Sequence, residues 1–234
     1  MPPRFLFVWA ALAGIAGVTS GQQARVSTDL MQVAMPSDVD SNSPAYWRDG
    51  QLDLINSTGA PMLTRGAGQL LMYLGQPREI VVDSQDRFPM WIEAAWQDED
   101  GTVYAWYHHE PGGVCPHSSL SAPQIGALVS TDGGATFKDL GIVLSAVDPP
   151  DCSAQNGFFA GGHGDFSVIL DLQQRYFHFL FSNYGGDLAG QGVAIARMAF
   201  EDRANPVGAV WKYTKRSGKS PVWRDGSRRS FRPR

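Results

Sequence analysis

MWIEAAWQDEDGTVYAWYHHEPGG, Met90 to Gly113, is the stretch on which the reading of the fold turns. An apolar run (Met90 to Trp96) leads into a polar turn containing Asp100-Gly101. A second run rich in aromatics (Val103 to Tyr107) follows, and then a loop opened by His108, His109 and Glu110. Asp-Gly between two β-prone runs is a hairpin signal, because glycine takes the positive φ that such turns need. The same order recurs upstream in SPAYWRDGQLDLINSTG, Ser43 to Gly59, and downstream in DFSVILDLQQRYFHFLFSNYGG, Asp165 to Gly186.

Each hairpin is trailed by two more strand-like runs. These are GQLLMYL and EIVV (Gly68 to Leu74, Glu79 to Val82), then QIGALVS and LGIVL (Gln124 to Ser130, Leu140 to Leu144), then GVAIARMAF and AVWKY (Gly192 to Phe200, Ala209 to Tyr213). Repeated four-stranded meanders with glycine and aromatic punctuation are the pattern of β-propeller blades. A two-layer sandwich uses similar strands, but the internal repeat favours the propeller. The expected fold is all-β: antiparallel four-stranded blades, three present of an expected five.

Composition agrees. The chain has 26 glycines and 26 aromatic residues, with only 18% charged residues, which excludes a coiled coil and a disordered chain. Nine of the 19 Lys and Arg residues fall from Lys212 onward, leaving an acidic body that is a poor partner for nucleic acid. Arg4 followed by the apolar run from Phe5 to Val18 and the small residues Thr19 to Gly21 reads as a secretory signal peptide over residues 1–20. No membrane span is expected after its removal, and the mature chain is placed in a secreted or periplasmic setting. Residues 21–213 are expected to form an incomplete propeller. Residues 214–234 form a basic tail without apolar periodicity, read either as a frameshifted end or as a surface for something acidic.

Up-and-down connectivity places the starts of first strands, and the loops after second strands, on one face. That face receives Asn42, Ser43, Glu93, His163 and Asp165, together with Asn56, His108, His109, Glu110, Asn183, Tyr184 and Asp187. Cys115 and Cys152 both fall in loops of this face, so a disulfide between them is expected. Trp91, Trp106, Tyr107 and Tyr184 are either blade core or platforms for a sugar ring.

Within the second unit, STDGGATF (Ser130 to Phe137) resembles the Asp-box of sialidases, a turn in which Ser and Asp side chains hold backbone groups. The blade layout from Asn42 to Tyr213 resembles the five-bladed glycosidases of the arabinanase and β-xylosidase clan. The resemblance implies a carbohydrate substrate and one acid opening the innermost strand of each of the first three blades, acting as base, pKa modulator and acid. Carried over, the second and third positions are Glu93 and Asp165. At the first stand Asn42 and Ser43, with Asp40 just upstream as the candidate for the base. Either Asp40 takes that role, or the site differs, or the propeller binds sugar without cleaving it. His108, His109, Glu110, His163, Asn42 and Tyr184 are the candidate substrate-binding residues. No cofactor and no catalytic metal are expected, while the central channel leaves room for a structural calcium.

Overall fold

The computed structural model describes residues 35–67, 75–185, 191–214 and 222–225. The signal segment, the run Gly68 to Leu74, Asp187 and most of the basic tail lie outside the described residues. The chain forms three antiparallel sheets, each built as an up-and-down meander. The first contains β1 (Ala45–Arg48), β2 (Gln51–Ser57), β3 (Pro61–Ala67) and β4 (Arg78–Glu79). The second contains β6 (Met90–Gln97), β7 (Val103–His109), β8 (Gln124–Ser130) and β9 (Thr136–Leu144), with the short β5 (Val81–Val82) added parallel to β9. The third contains β10 (His163–Leu170), β11 (Tyr176–Asn183), β12 (Gly192–Ala199) and β13 (Val210–Thr214). Val222–Asp225, inside the segment expected to be an aberrant tail, adds a fifth strand, β14, antiparallel to β13. These are propeller blades, with the innermost strands β6 and β10 side by side.

The second blade is the middle one, and its second strand shows why. Every residue of β7, VYAWYHH, is buried. Side chains alternate across a strand. Tyr104 and Trp106 therefore enter one core with Phe166, Phe177, Phe179 and Phe181 of the third blade. Val103, Ala105 and Tyr107 enter another with Tyr46 and Ile55 of the first. The same rule sends the adjacent His108 and His109 to opposite faces. Gly126 on β8 serves this packing, since a Cβ there would lie 2.0 Å from the Tyr107 ring.

The first blade departs from the expected strand positions. Its third strand is PMLTRGA, paired with β2 across the tight turn at Thr58 to Ala60, and not the run beginning at Gly68. Thr64 and Arg65 hide the strand from an apolar scan, and ion pairing explains Arg65. Arg48 and Arg65 both bond the fully buried Asp53 carboxylate at 2.8 Å. The expected fourth strand, Glu79 to Val82, is split. Arg78–Glu79 closes the first blade, and Val81–Val82 crosses to the outer edge of the second. That addition covers the free N–H and C=O groups of β9, an edge otherwise open to association.

The turn between β8 and β9 forms the expected bonds. Ser130 Oγ donates to Asp132 Oδ1 at 2.8 Å and accepts from the Gly134 N–H at 2.8 Å. Asp132 also accepts from the Ala135 and Thr136 amides and from the Thr136 hydroxyl. Partial burial raises its carboxyl, but these bonds outweigh that and hold it below the usual range. Phe137 packs beneath, in the core between the first two blades.

Candidate active site

Two β-bulges set up the site. In β6 the register slips between Ile92 and Ala94, so Glu93 has no residue opposite it. Ile92 then faces the first blade and Ala94 the third, with Glu93 between them. In β10 the register slips between Gly164 and Phe166, leaving Asp165 unpaired at φ 38°. Bulges re-aim single side chains without disturbing the strand beyond them. Here both occur near the starts of adjacent innermost strands, and they turn two acids toward one another.

Between the two acids lies His108. Its Nδ1 is 3.3 Å from Glu93 Oε1 and 3.9 Å from Asp165 Oδ1. Its Nε2 is 3.5 Å from Glu110 Oε1. Gly164 lets the ring approach β10 this closely, since a Cβ there would stand 2.7 Å from Nε2. Trp91 lies beside the ring with centroids 5.5 Å apart. Glu93 Oε2 accepts the Phe166 N–H at 2.8 Å. Asp165 accepts from the Tyr184 hydroxyl, and Tyr184 stacks on Phe159 at 4.4 Å. Burial first, and then the Asp165 carboxylate, push the Tyr184 phenol far above its usual range, so it stays a donor.

The four polar groups differ in access. The side chains of Glu93 and His108 are 3% and 6% exposed, whereas Asp165 is 71% and Glu110 29% exposed. Glu93 and Asp165 oxygens lie within 4.8 Å of each other. Of the two, only Asp165 is open to solvent. Burial raises the Glu110 carboxyl above its ordinary range; His108 opposes the shift, and Asp165 and Asp40 add to it.

The other candidates fall around this cluster. Asn42 donates to the Phe166 carbonyl at 2.7 Å, fastening the entry to the first blade onto β10. Asn42 and Asp165 together line an open cleft of about 390 Å³. Asp40 is exposed, and its charge reaches Glu110. His109 faces away, with Nδ1 3.2 Å from the Pro89 carbonyl. Trp106 and Tyr107 are core residues, 2% and 0% exposed. Asn56 is fully buried and donates to Ser43 Oγ. Glu93, His108 and Asp165 are the described His and acidic groups close enough to share a cation. Two carboxylates and an imidazole nitrogen fall short of the six to eight oxygens that calcium takes.

His163 lies apart, in a neighbouring cavity of about 260 Å³ whose lining includes Phe159, Phe181, Tyr184 and Lys212. Lys212 Nζ lies 2.8 Å from its Nε2. Burial, and then the Lys212 charge, push the imidazole down to about 3. An unfolded chain protonates such a histidine near pH 6.5. Stability present above that pH therefore drains as pH falls toward the folded value, by up to about 1.4 kcal/mol per pH unit. Unfolding midpoints are expected to fall below pH 6.5, and more shallowly in His163→Gln. Parallel melting curves across that range check this, and identical slopes would contradict it.

The disulfide forms, with Cα atoms 5.4 Å apart. It joins the loop after β7 to the loop before β10, and Cys115, Leu120 and Ala160 make a small core beneath it. The second of these loops carries Phe159.

No protein-family profile matches the chain, and no curated protein matches it. Solved structures do resemble it. An α-L-arabinofuranosidase from Lactobacillus brevis aligns over 75% of this chain with a TM-score of 0.49 and 16% identity. This chain spans about half (53%) of that enzyme's length. An endo-arabinase from Bacteroides thetaiotaomicron aligns over 78% of this chain and 73% of its own, with a TM-score of 0.48 and 10% identity. A GH43_12 protein retrieved from a capybara gut metagenome aligns over 85% of this chain and 34% of its own, with a TM-score of 0.46 and 9% identity. At these identities the likeness is one of fold. Among the described residues no helix is long and apolar enough to cross a membrane.

Proposed function

We propose that this chain is the catalytic part of an exported glycoside hydrolase, cleaving a carbohydrate by acid–base chemistry on the face where the blade starts meet. One observation carries the reading. Two bulges on neighbouring innermost strands bring Glu93 and Asp165 to the same imidazole, one carboxylate buried and one open to the cleft. A bulge pair costs ladder hydrogen bonds in two strands, and re-aiming a side chain is a use bulges have beside active sites. Asp165, exposed and held by Tyr184, is the group that meets the reacting water. Glu93 supports it from behind by holding Phe166 and His108. Asp40, an exposed acid whose charge reaches Glu110, lies just upstream of the first-blade position, where the clan resemblance would put the base and Asn42 stands. The leader sequence and the disulfide support export.

A second reading rests on Asn42. At the first blade the resemblance calls for an acid, and the amide found there is spent on the Phe166 carbonyl. The same cleft then binds a sugar without cutting it. Reducing-sugar release from arabinan, xylan and a panel of aryl glycosides separates the two readings. Release that grows with time supports the hydrolase. Retention on a glycan array with no release supports the binding module.

A further inference from the structure

We propose that Glu110 is the proton donor of this site, with His108 and the buried Glu93 as the residues that position it. The assignment rests on the hydrolase reading above. Glu110 follows β7 and belongs to no innermost strand.

The geometry starts from the buried end. Glu93 is fixed by the Phe166 amide through one oxygen, and its other oxygen faces His108 Nδ1. Among the described residues that Glu93 oxygen is buried with no hydrogen-bond partner, and Nδ1, 3.3 Å away, is the nitrogen facing it; a ring proton on Nδ1 serves the carboxylate and leaves a lone pair on Nε2. Among the described residues, Nε2 is buried with no hydrogen-bond partner, and Glu110 Oε1 is the acid facing it, at 3.5 Å. A buried acceptor without a donor is costly. A protonated Glu110 is the group in place to relieve it, by donating its O–H to Nε2. The partial burial that raises the Glu110 carboxyl works in the same direction.

Hydrolysis needs two carboxyl groups that stand apart, one protonated and one ionised. Glu93 and Asp165 do not meet this need, because Glu93 is buried away from the cleft. Glu110 and Asp165 do. They lie nearest different nitrogens of the His108 ring, Glu110 at 3.5 Å from Nε2 and Asp165 at 3.9 Å from Nδ1, and both side chains reach solvent. The glycosidic C–O bond breaks with its electron pair going to the leaving oxygen, and that oxygen takes the Glu110 proton. A water oxygen bonds the anomeric carbon and gives its proton to the Asp165 carboxylate. Exchange with solvent returns one proton to Glu110 and removes one from Asp165, so the sum is one water consumed per bond cleaved.

The test compares leaving groups in the full chain. A dinitrophenyl leaving group departs without protonation, whereas a sugar or alkyl alcohol does not. Glu110→Gln is expected to lose roughly 10²–10⁴-fold in kcat/KM on the alkyl glycoside and less than about tenfold on the dinitrophenyl glycoside of the same sugar. Asp165→Asn is expected to lose activity on both. His108→Gln is expected to lower kcat on the alkyl substrate with KM little changed, a split that a merely structural role would not give. Equal losses of Glu110→Gln on both substrates, or leaving-group dependence in Asp165→Asn instead, overturn the assignment while leaving a hydrolase in place. A wild-type protein that cleaves neither substrate overturns the hydrolase reading and the step together. Melting curves of each variant show whether it is folded.

Discussion

Asp165→Asn is expected to lower kcat/KM about a thousandfold on every substrate the protein cleaves, with the unfolding midpoint nearly unchanged. The size of the kinetic effect follows from the role. An amide cannot take the proton of the attacking water, and no other acid among the described residues stands at the bulge of β10. The small effect on stability follows from place. The side chain is 71% exposed, and its hydrogen bond comes from the Tyr184 hydroxyl, which an amide oxygen can still accept. The backbone at φ 38° makes asparagine the right replacement, because Asn tolerates the left-handed region better than most residues. Glu93→Gln is a different experiment. It alters a buried group bonded to the Phe166 amide, so stability and activity fall together. Steady-state kinetics beside melting curves separate the two variants. An Asp165→Asn protein with near-normal kcat/KM would remove Asp165 from the chemistry.

Breaking the Cys115–Cys152 bridge is expected to have the largest effect on stability. The cysteines are 37 positions apart, and in the chain-entropy account a closure of that length is worth about 4 kcal/mol. For a chain of this size that corresponds to a midpoint lower by roughly 8–16 °C. The loss should also reach the site by a traceable route. The bridge holds the loop that carries Phe159, Phe159 stacks on Tyr184, and Tyr184 donates to Asp165. A Cys115→Ala, Cys152→Ala protein is therefore expected to show a raised KM even well below its melting temperature. Melting with and without a reducing agent checks the first part, and kinetics at low temperature check the second. If reduction leaves the midpoint where it was, the hydrogen-bonded pairing of these loops at Ser121 and Phe159 is holding them without the bridge.

Much of the blade architecture is legible along the chain because it is local. Hairpin turns announce themselves by Asp-Gly, and blade cores by aromatic alternation, as in Tyr104 and Trp106 against Phe177 and Phe179. Polar strands are less legible. PMLTRGA escapes because its pairing depends on Asp53, Arg48 and Arg65 meeting from three separate strands. The crossing of Val81–Val82 to the second blade escapes because two residues carry no period at all.

The candidate site divides in the same way. By itself the sequence determined that His108 and His109 face opposite sides, that Glu93 and Asp165 stand near the starts of first strands, and that both cysteines lie in loops of one face. Strand alternation and meander connectivity require those things whatever the packing. Only the tertiary structure decided that Glu93 and Asp165 converge on His108, that Glu110 completes the cluster, and that His163 belongs to a separate cavity with Lys212. The reason is that a β-bulge adds one residue to a strand and reverses which face the next side chain takes. Its position is set by which neighbours can be packed on either side, and that information lies in the adjoining blades and not in the strand that bends.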